Sequence, residues 1–492
     1  MRCLALWLSL SVAASLIAQE GPPPLTLEQA IQRALAHNYA IQVQAVERPI
    51  ARAALSEAWG KFDVRLTGSF YASRDEQPRL PNALTGYRSP SSITQDTTAS
   101  LALGGSLPWG MSYSLGANTE NARGTSNNFV DTYATFAGLA LTQPLLRDAG
   151  FGPTLTQIRL ARTNAAMSEW DYRQAVTNIV TQVIYAYSDL YYAQLRLRSA
   201  QRSRDLAAQL HKDNARRYEV QAMSEFDVLS ANARVATRED SVLQAEYGLR
   251  TAENALRQLI SDERQPALLT AAIEIEPLPT LTRAAPDPAA DFAVALQQRP
   301  DYRLAQLAIQ RGDLNRRAAR NQLLPRIDAT GSYGYNGIGP DFIASRQDAR
   351  AREATAYSAG VSVSLPLTST AERSRYRASK LRLHQAELEL QQLEQAIVVS
   401  LGNAAQLVES TRRRMDVSRE SRQLNESMLQ AELKRLRAGS GSTFNVLYQQ
   451  EQLSAAETNE AAAQVAHCRA LAEYDRQTGR TLEVHRIVIR SD

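Results

Sequence analysis

Two hydrophobic periods take turns along this chain. From Phe62 to Arg74 the period is two: Val64, Leu66, Gly68, Phe70 and Ala72 share one face, and Arg65, Thr67, Ser69 and Tyr71 the other. That pattern predicts a strand with two unlike faces. Alternation returns at Ser100–Leu107, Met111–Thr119, Tyr133–Thr142, Arg326–Tyr335 and Tyr357–Leu365. The polar stretch Asp75–Asp96 reads as a long loop. From Thr154 to Tyr218 neither proline nor glycine occurs, and Leu155, Ile158, Val176, Ile179, Val183, Tyr187, Leu190 and Leu197 keep helical spacing. A helix of roughly 60 residues is about 90–100 Å long. A second long run, Ala371–Arg437, lacks proline and carries Leu393, Ile397, Leu401, Ala404, Val408, Thr411 and Met415 at steps of three and four. Each long run breaks and is followed by a shorter helix. The first break is Gln221–Ser224, with helix to about Ile260; the second is Gly439–Ser442, with helix to about Gln477 and a stop at Gly479. Thr26 and Gln29 form a capping-box signature for a helix running to about Trp59, with a bend or break expected before Pro49. A helical run from Ala289 to Leu324 is interrupted near Arg299-Pro300.

The same order therefore occurs twice: helix, strands, long helix, tip, helix. Short words recur with it. Thr67-Gly68-Ser69-Phe70 returns as Thr330-Gly331-Ser332-Tyr333, Thr142-Gln143-Pro144-Leu145 as Ser364-Leu365-Pro366-Leu367, and Phe226-Asp227-Val228-Leu229 as Phe444-Asn445-Val446-Leu447. A duplicated strand-plus-long-helix unit predicts a tube built by symmetry rather than a pocket built for chemistry. The boundaries are a first repeat at 19–265 (strands about 62–143, helices about 154–260), a Pro/Ala linker at 266–288, a second repeat at 289–478 (strands about 326–366, helices about 371–477) and a tail at 479–492.

Residues 1–18 read as a secretory signal: Arg2 is the basic start, Cys3–Val12 the apolar stretch, and Ala18 the last residue before cleavage. Cys3 lies inside the apolar stretch rather than at the cleavage point, which argues against a lipid anchor. Only Cys468 would then remain, which permits no internal disulfide. No other segment holds the roughly 20 apolar residues of a membrane helix, so an exported chain of this kind is either soluble or part of a β-barrel. The strands, about 8–12 residues long, approach the length that crosses a bilayer at a tilt.

Composition narrows the chemistry. With 55 basic and 51 acidic residues the formal charge is only +4, and no basic patch interleaved with aromatics points to nucleic acid. His37, His211, His384, His467 and His485 include no pair at metal-ligand spacing, and neither a nucleophile elbow, a P-loop nor a zincin motif occurs. No catalytic, cofactor or metal residues are expected, and the chain does not read as an enzyme.

With these words in order, the chain resembles the TolC family of outer-membrane efflux ducts. The residues that carry the likeness are Thr142–Arg147 and Leu365-Pro366-Leu367 at the strand-to-helix junctions, Arg299-Pro300-Asp301, Leu324-Pro325, and two tip motifs. The first tip runs from Arg217-Tyr218 through Ser224–Leu229, the second from Ala438-Gly439 through Ser442–Leu447. The resemblance implies a homotrimer whose long antiparallel helical hairpins form a periplasmic α-barrel and whose strands share one transmembrane β-barrel in outer-membrane lipid. It implies a periplasmic adaptor at the tips and an inner-membrane pump as energy source. Adaptor contact falls to Arg217, Tyr218, Gln221, Ser224, Gly439 and Ser442, with Pro144 and Pro366 at the junctions. The family builds its barrel from four strands per subunit; four crossing strands are expected here, with the Ser100–Thr119 alternation as an extension or an excursion outside the bilayer.

The gate departs from the family. Its tyrosine position is Leu436, its arginine position Gly441, and its two second-half aspartates are Asn445 and Tyr448; only Asp227 retains a carboxylate. The salt-linked lock of the family is therefore expected to be absent, with Leu436, Asn445 and Tyr448 as alternative closing contacts. An Asp227 ring would still attract cations, and Asp227 reads equally as a charge at a helix N-terminus. The competing reading of the whole chain is a periplasmic or surface coiled-coil structural or adaptor protein, against which the strands that interrupt both halves count. A diffusion porin would lack helices of this length.

Overall fold

The computed structural model describes residues 24–79, 84–85, 91–264, 266–269, 273–278, 285–438 and 440–489. The expected leader at 1–18, part of the 266–288 linker and Gly439 lie outside the described residues. In chain order the elements are α1 (Leu27–His37), α2 (Tyr39–Trp59), β1 (Arg65–Gln77), β2 (Ser92–Ser106), β3 (Ser112–Gly124), β4 (Tyr133–Pro144), α3 (Phe151–Thr154), α4 (Thr156–Glu219) and α5 (Glu225–Ile260). Then follow α6 (Pro288–Gln298), α7 (Pro300–Asn321), β5 (Arg326–Gly339), α8 (Phe342–Ala351), β6 (Ala354–Ser364), α9 (Thr370–Arg437), α10 (Thr443–Thr478) and α11 (Thr481–Val484). The two long helices have 64 and 68 residues. None of the described helices is long and apolar enough to cross a membrane.

The chain forms two compact units, each drawing on both halves of the sequence: Gln42–Ala175 with Phe292–Ser400, and Met1–Ile41 with Val176–Asp291 and Leu401–Asp492. The first contains a six-stranded antiparallel sheet in simple chain order, β1-β2-β3-β4-β5-β6. The sheet thus has six strands where four crossing strands were expected. The β2–β3 hairpin belongs to it along its length: β2 pairs with β1 from Arg65↔Gly104 to Gln77↔Ser92, and β3 pairs with β4 from Ser112↔Thr142 to Asn121↔Tyr133. Its Leu107–Met111 turn is closed by Leu107 N–H to Met111 O at 2.7 Å and tied to the next junction by Gly150 N–H to Trp109 O at 2.9 Å. Gly110, at φ +99°, sits so close to that junction that a Cβ there would lie 2.6 Å from Asp148 O.

The loop expected at Asp75–Asp96 is likewise mostly strand at both ends, through the pairs Asp75↔Thr94 and Glu76↔Ile93. Backbone pairing continues beyond the apolar band because the ladder needs no apolar side chains to hold it.

In the second unit, the inner stripe of α4 is Val176, Val180, Val183, Tyr187 and Leu190, each at most 1% exposed. At steps of three and four these residues make one face of the helix. Ala404, Ala405 and Val408 of α9 pack with Ala470, Leu471 and Tyr474 of α10. The capping box of α1 forms as expected, Gln29 N–H reaching Thr26 Oγ1 at 3.1 Å and Thr26 N–H reaching Gln29 Oε1 at 3.2 Å. The helix break expected before Pro49 lies instead at Asn38: its Oδ1 accepts the Ala40 N–H at 2.9 Å and so caps the start of α2, while Pro49 stands inside that helix.

Candidate functional site: sheet faces, junctions and helix tips

Register sorts the sheet side chains into two faces. Leu66, Phe70, Leu101, Leu103, Leu115, Leu139, Tyr333, Tyr357, Val361 and Val363 share one. All are exposed large apolar or aromatic groups. The other face is rich in hydroxyl and amide groups, Thr67, Ser69, Ser100, Ser114, Asn118, Ser332 and Ser358, with Tyr71, Phe136 and Ile338 among them. The repeated Thr-Gly-Ser word makes the same contacts in each half: Ser69 with Ser100 and Ser332 with Ser358, each hydroxyl pair at 2.8 Å. Thr67 and Thr330 donate to the carbonyls of Ala102 and Gly360. An extended apolar surface left bare on one side of a sheet and hydroxyls on the other is the arrangement of a wall between hydrocarbon and water.

The two predicted junction prolines end strands. Pro144 is the last residue of β4, opposite Asp328, and Leu145 resumes pairing with Ile327 O at 2.8 Å. Pro366 follows β6, and its carbonyl accepts from Ser369 Oγ at 3.1 Å just before α9 begins. Proline belongs at such ends because it has no N–H for the ladder. The first junction is tied to the end of α7: Asp148 N–H reaches Asn321 Oδ1 at 2.9 Å and Gln322 Nε2 reaches Asp148 Oδ1 at 2.8 Å.

The tip residues lie at the turns α4–α5 and α9–α10. Arg217 and Tyr218 are in the last turn of α4, and Gln221 takes the left-handed conformation at φ 55°. Ser224 caps α5, its Oγ accepting Asp227 N–H at 3.2 Å while the Asp227 carboxylate accepts from Ser224 Oγ at 2.5 Å. The Asp227 carboxylate is thus held by its own helix start. In the second turn Ser442 accepts Asn445 N–H at 3.2 Å in the same way. Gly441 closes against Leu436, where a Cβ would come within 2.8 Å of the Leu436 nitrogen. Leu436 is half-buried, and Tyr448 is 51% exposed. The two tips meet where Arg234 lies over the Phe444 ring at 5.9 Å and Arg238 pairs with Glu451 at 3.2 Å.

Two buried residues at the tips went unread in the sequence. Asn214 Nδ2 donates to Asp227 O at 3.4 Å, and Asn445 Nδ2 donates to Glu432 Oε1 at 3.2 Å, each pair thirteen positions apart. Aligning the repeated Phe-Asp/Asn-Val-Leu words would have placed both. Elsewhere in this unit, burial pushes the Tyr187 hydroxyl up to about 12. That group bridges the carbonyls of Leu25 and Glu276 at 2.9 and 2.8 Å. Cys468 is buried, and its Sγ accepts from Ser188 Oγ at 3.7 Å. Among the described residues no three His, Cys, Asp or Glu side chains converge on a metal position.

Comparison places this fold among known proteins. Residues 293–480 match the sequence family described as Outer membrane efflux protein. Comparison with curated proteins finds no match. The outer-membrane channel OprN shares the fold at TM-score 0.70 and 21% identity, over 92% of this chain and 89% of that one. The CmeC outer membrane channel of Campylobacter jejuni does so at TM-score 0.69 and 16% identity, over 92% and 86%. The MtrE outer membrane channel of Neisseria gonorrhoeae, solved in its open state, gives TM-score 0.65 and 19% identity over 93% and 89%.

Proposed function

We propose, from a chain whose second half matches the Outer membrane efflux protein family and whose fold is that of solved outer-membrane channels, that the protein is a trimeric outer-membrane duct. It passes solutes or proteins outward from a periplasm-spanning export assembly. The observation that carries this reading is the sheet: six strands in chain order, apolar on one face and hydroxyl-rich on the other. The apolar face turns to lipid and the polar face to water. A coiled-coil structural protein would leave that apolar face uncovered.

Among the described residues β1 pairs only with β2, and β6 only with β5. Open edges are not tolerated in hydrocarbon. Because β1 and β6 run in opposite directions, β6 of one copy can pair antiparallel with β1 of the next. Three copies then close into one barrel of eighteen strands, an even number within the outer-membrane range. Diameter grows roughly linearly with strand number, so this barrel is about half again as wide as one built from four strands per copy.

At the helix tips, Leu436, Gly441, Asn445, Tyr448 and Asp227 form the constriction. Arg217, Tyr218, Gln221, Ser224, Gly439 and Ser442 meet a periplasmic adaptor, which couples the duct to an inner-membrane pump. Of the family's gate positions only Asp227 carries a carboxylate, and it is engaged in a helix cap, so the constriction is weakly cation-selective. Planar-bilayer recording of the purified protein tests the reading. Discrete conductance steps whose cation preference falls in Asp227→Asn are expected; a protein that never inserts would end it.

A further inference from the structure

The β5–β6 connection holds a helix that the channel reading does not use. α8 folds back onto the apolar face of the sheet, at the end away from Pro144 and Pro366. Asp341 caps it, accepting Ala344 N–H at 2.8 Å. Ser345, fully buried, shares a hydrogen bond of 2.8 Å with Thr135 of β4. The approach is close enough to require glycine below it, since a Cβ on Gly337 would lie 2.2 Å from Ala349 N and Ser345 O. Phe342 and Ile343 remain exposed, Ile343 at 66%.

Beside this helix is a cavity of about 620 Å³. Its floor includes Leu139, Tyr333 and Tyr335, and three arginines stand around it: Arg346, Arg350 and Arg352. The carboxylates of α8 are engaged elsewhere, Asp341 at the cap and Asp348 with the Ile338 N–H at 2.9 Å. None of the three arginines has a carboxylate partner within 4 Å among the described residues. Arg346 lies over the Phe342 ring at 5.5 Å and Arg352 over the Tyr335 ring at 5.6 Å, contacts that orient a guanidinium without neutralising it.

Three uncompensated cations on the lipid-facing side of a barrel are unfavourable unless an anion meets them at the interface. Guanidinium groups bind phosphate oxygens in bidentate fashion. The apolar floor below them suits acyl chains. Three charges around one cavity call for more than the single charge of a diester headgroup. Resting on the outer-membrane reading above, we propose that α8 and this cavity form a binding site for a bisphosphorylated acyl glycolipid of the lipid A type. Its phosphates are held by Arg346, Arg350 and Arg352, and its chains lie along Leu139, Tyr333 and Tyr335.

The test is native mass spectrometry of the full-length protein, recovered from outer-membrane fractions in a non-ionic detergent and titrated with bisphosphorylated lipid A or with phosphatidylcholine. The native protein should retain lipid A in preference to phosphatidylcholine. R346Q/R350Q/R352Q should bind lipid A on the order of 100-fold more weakly, each basic residue at a membrane surface being worth a factor of about five. R346K/R350K/R352K, which keeps the charge, should lose much less, and so separates lost charge from lost fold. Equal lipid A binding by the native protein and the glutamine variant overturns the proposal, as does equal retention of phosphatidylcholine and lipid A. Absence of the protein from outer-membrane fractions would instead overturn the channel reading.

Discussion

Asp291 offers the most quantitative test of the helical unit. It lies in the first turn of α6 and is 8% exposed. Its carboxylate accepts the Tyr474 hydroxyl and pairs with Arg480 at 3.0 Å. Burial, and then the hydrogen bond to Asp291, hold the Tyr474 hydroxyl well above the ordinary phenol range, so it serves as a donor at any physiological pH. In Asp291→Ala the charged hydrogen bond to a buried phenol goes, at about 1.5–3 kcal/mol. The pair with the partly exposed Arg480 adds less than about 1 kcal/mol, and the carboxylate near the helix start a few tenths more. The expected loss is about 3 kcal/mol, or roughly 6 °C in the melting of helical circular dichroism at about 2 °C per kcal/mol. Tyr474→Phe should cost about half as much, because it leaves the Arg480 pair intact. The double variant should be no more than slightly worse than Asp291→Ala alone, since both remove one shared bond. A single-variant shift below about 1 °C, or strict additivity in the double variant, would refute the reasoning.

Other consequences follow from the same geometry. Ser224→Ala and Ser442→Ala each remove a helix cap worth about 1 kcal/mol, so hydrogen exchange at the amides just after each cap should accelerate while exchange in the α4 stripe stays unchanged. Gly337→Val cannot coexist with the seat of α8, so trypsin should cut at Arg346 and Arg350 in the variant well before it does in the native protein. Burial, and then the charge of Arg412, hold the His467 imidazole below its ordinary value. The unfolded chain then takes up a proton near pH 6.5 that the folded one refuses, and stability should fall as pH drops below about 6.5. His467→Gln should flatten that acid limb of the melting curve, and an unchanged limb would refute the assignment.

Much of this architecture was legible before any coordinates. The two long helices stand within a residue or two of where the absence of proline and the three-four spacing put them, and the break at Arg299-Pro300 separates α6 from α7 as expected. What escaped shares a physical cause. The outer ends of β1 and β2 are held by backbone pairing and carry polar side chains, so Asp75–Asp96 lacked the apolar alternation that marks a strand. The β2–β3 hairpin showed its alternation, but nothing local says whether such a hairpin joins a sheet along its whole length. α8 is too short for periodicity to declare it, and the reason for Gly337 appears only once the helix lies on it. At the tips, the breaks read at Ser224 and Ser442 stand where α5 and α10 begin. Asn214 and Glu432, which brace them, are polar residues among the many charged positions of the long helices, and only the repeat alignment distinguishes them.

The most direct measurement is single-particle imaging of the protein extracted from outer membranes in mild detergent, at a resolution that separates strands. The account predicts threefold particles with one shared barrel of eighteen strands, six from each copy, and Leu436, Asn445 and Tyr448 at the narrowest point of the far end. A threefold particle with twelve strands in the detergent belt would contradict the six-stranded wall, and a particle without a barrel or a threefold axis would contradict the duct itself.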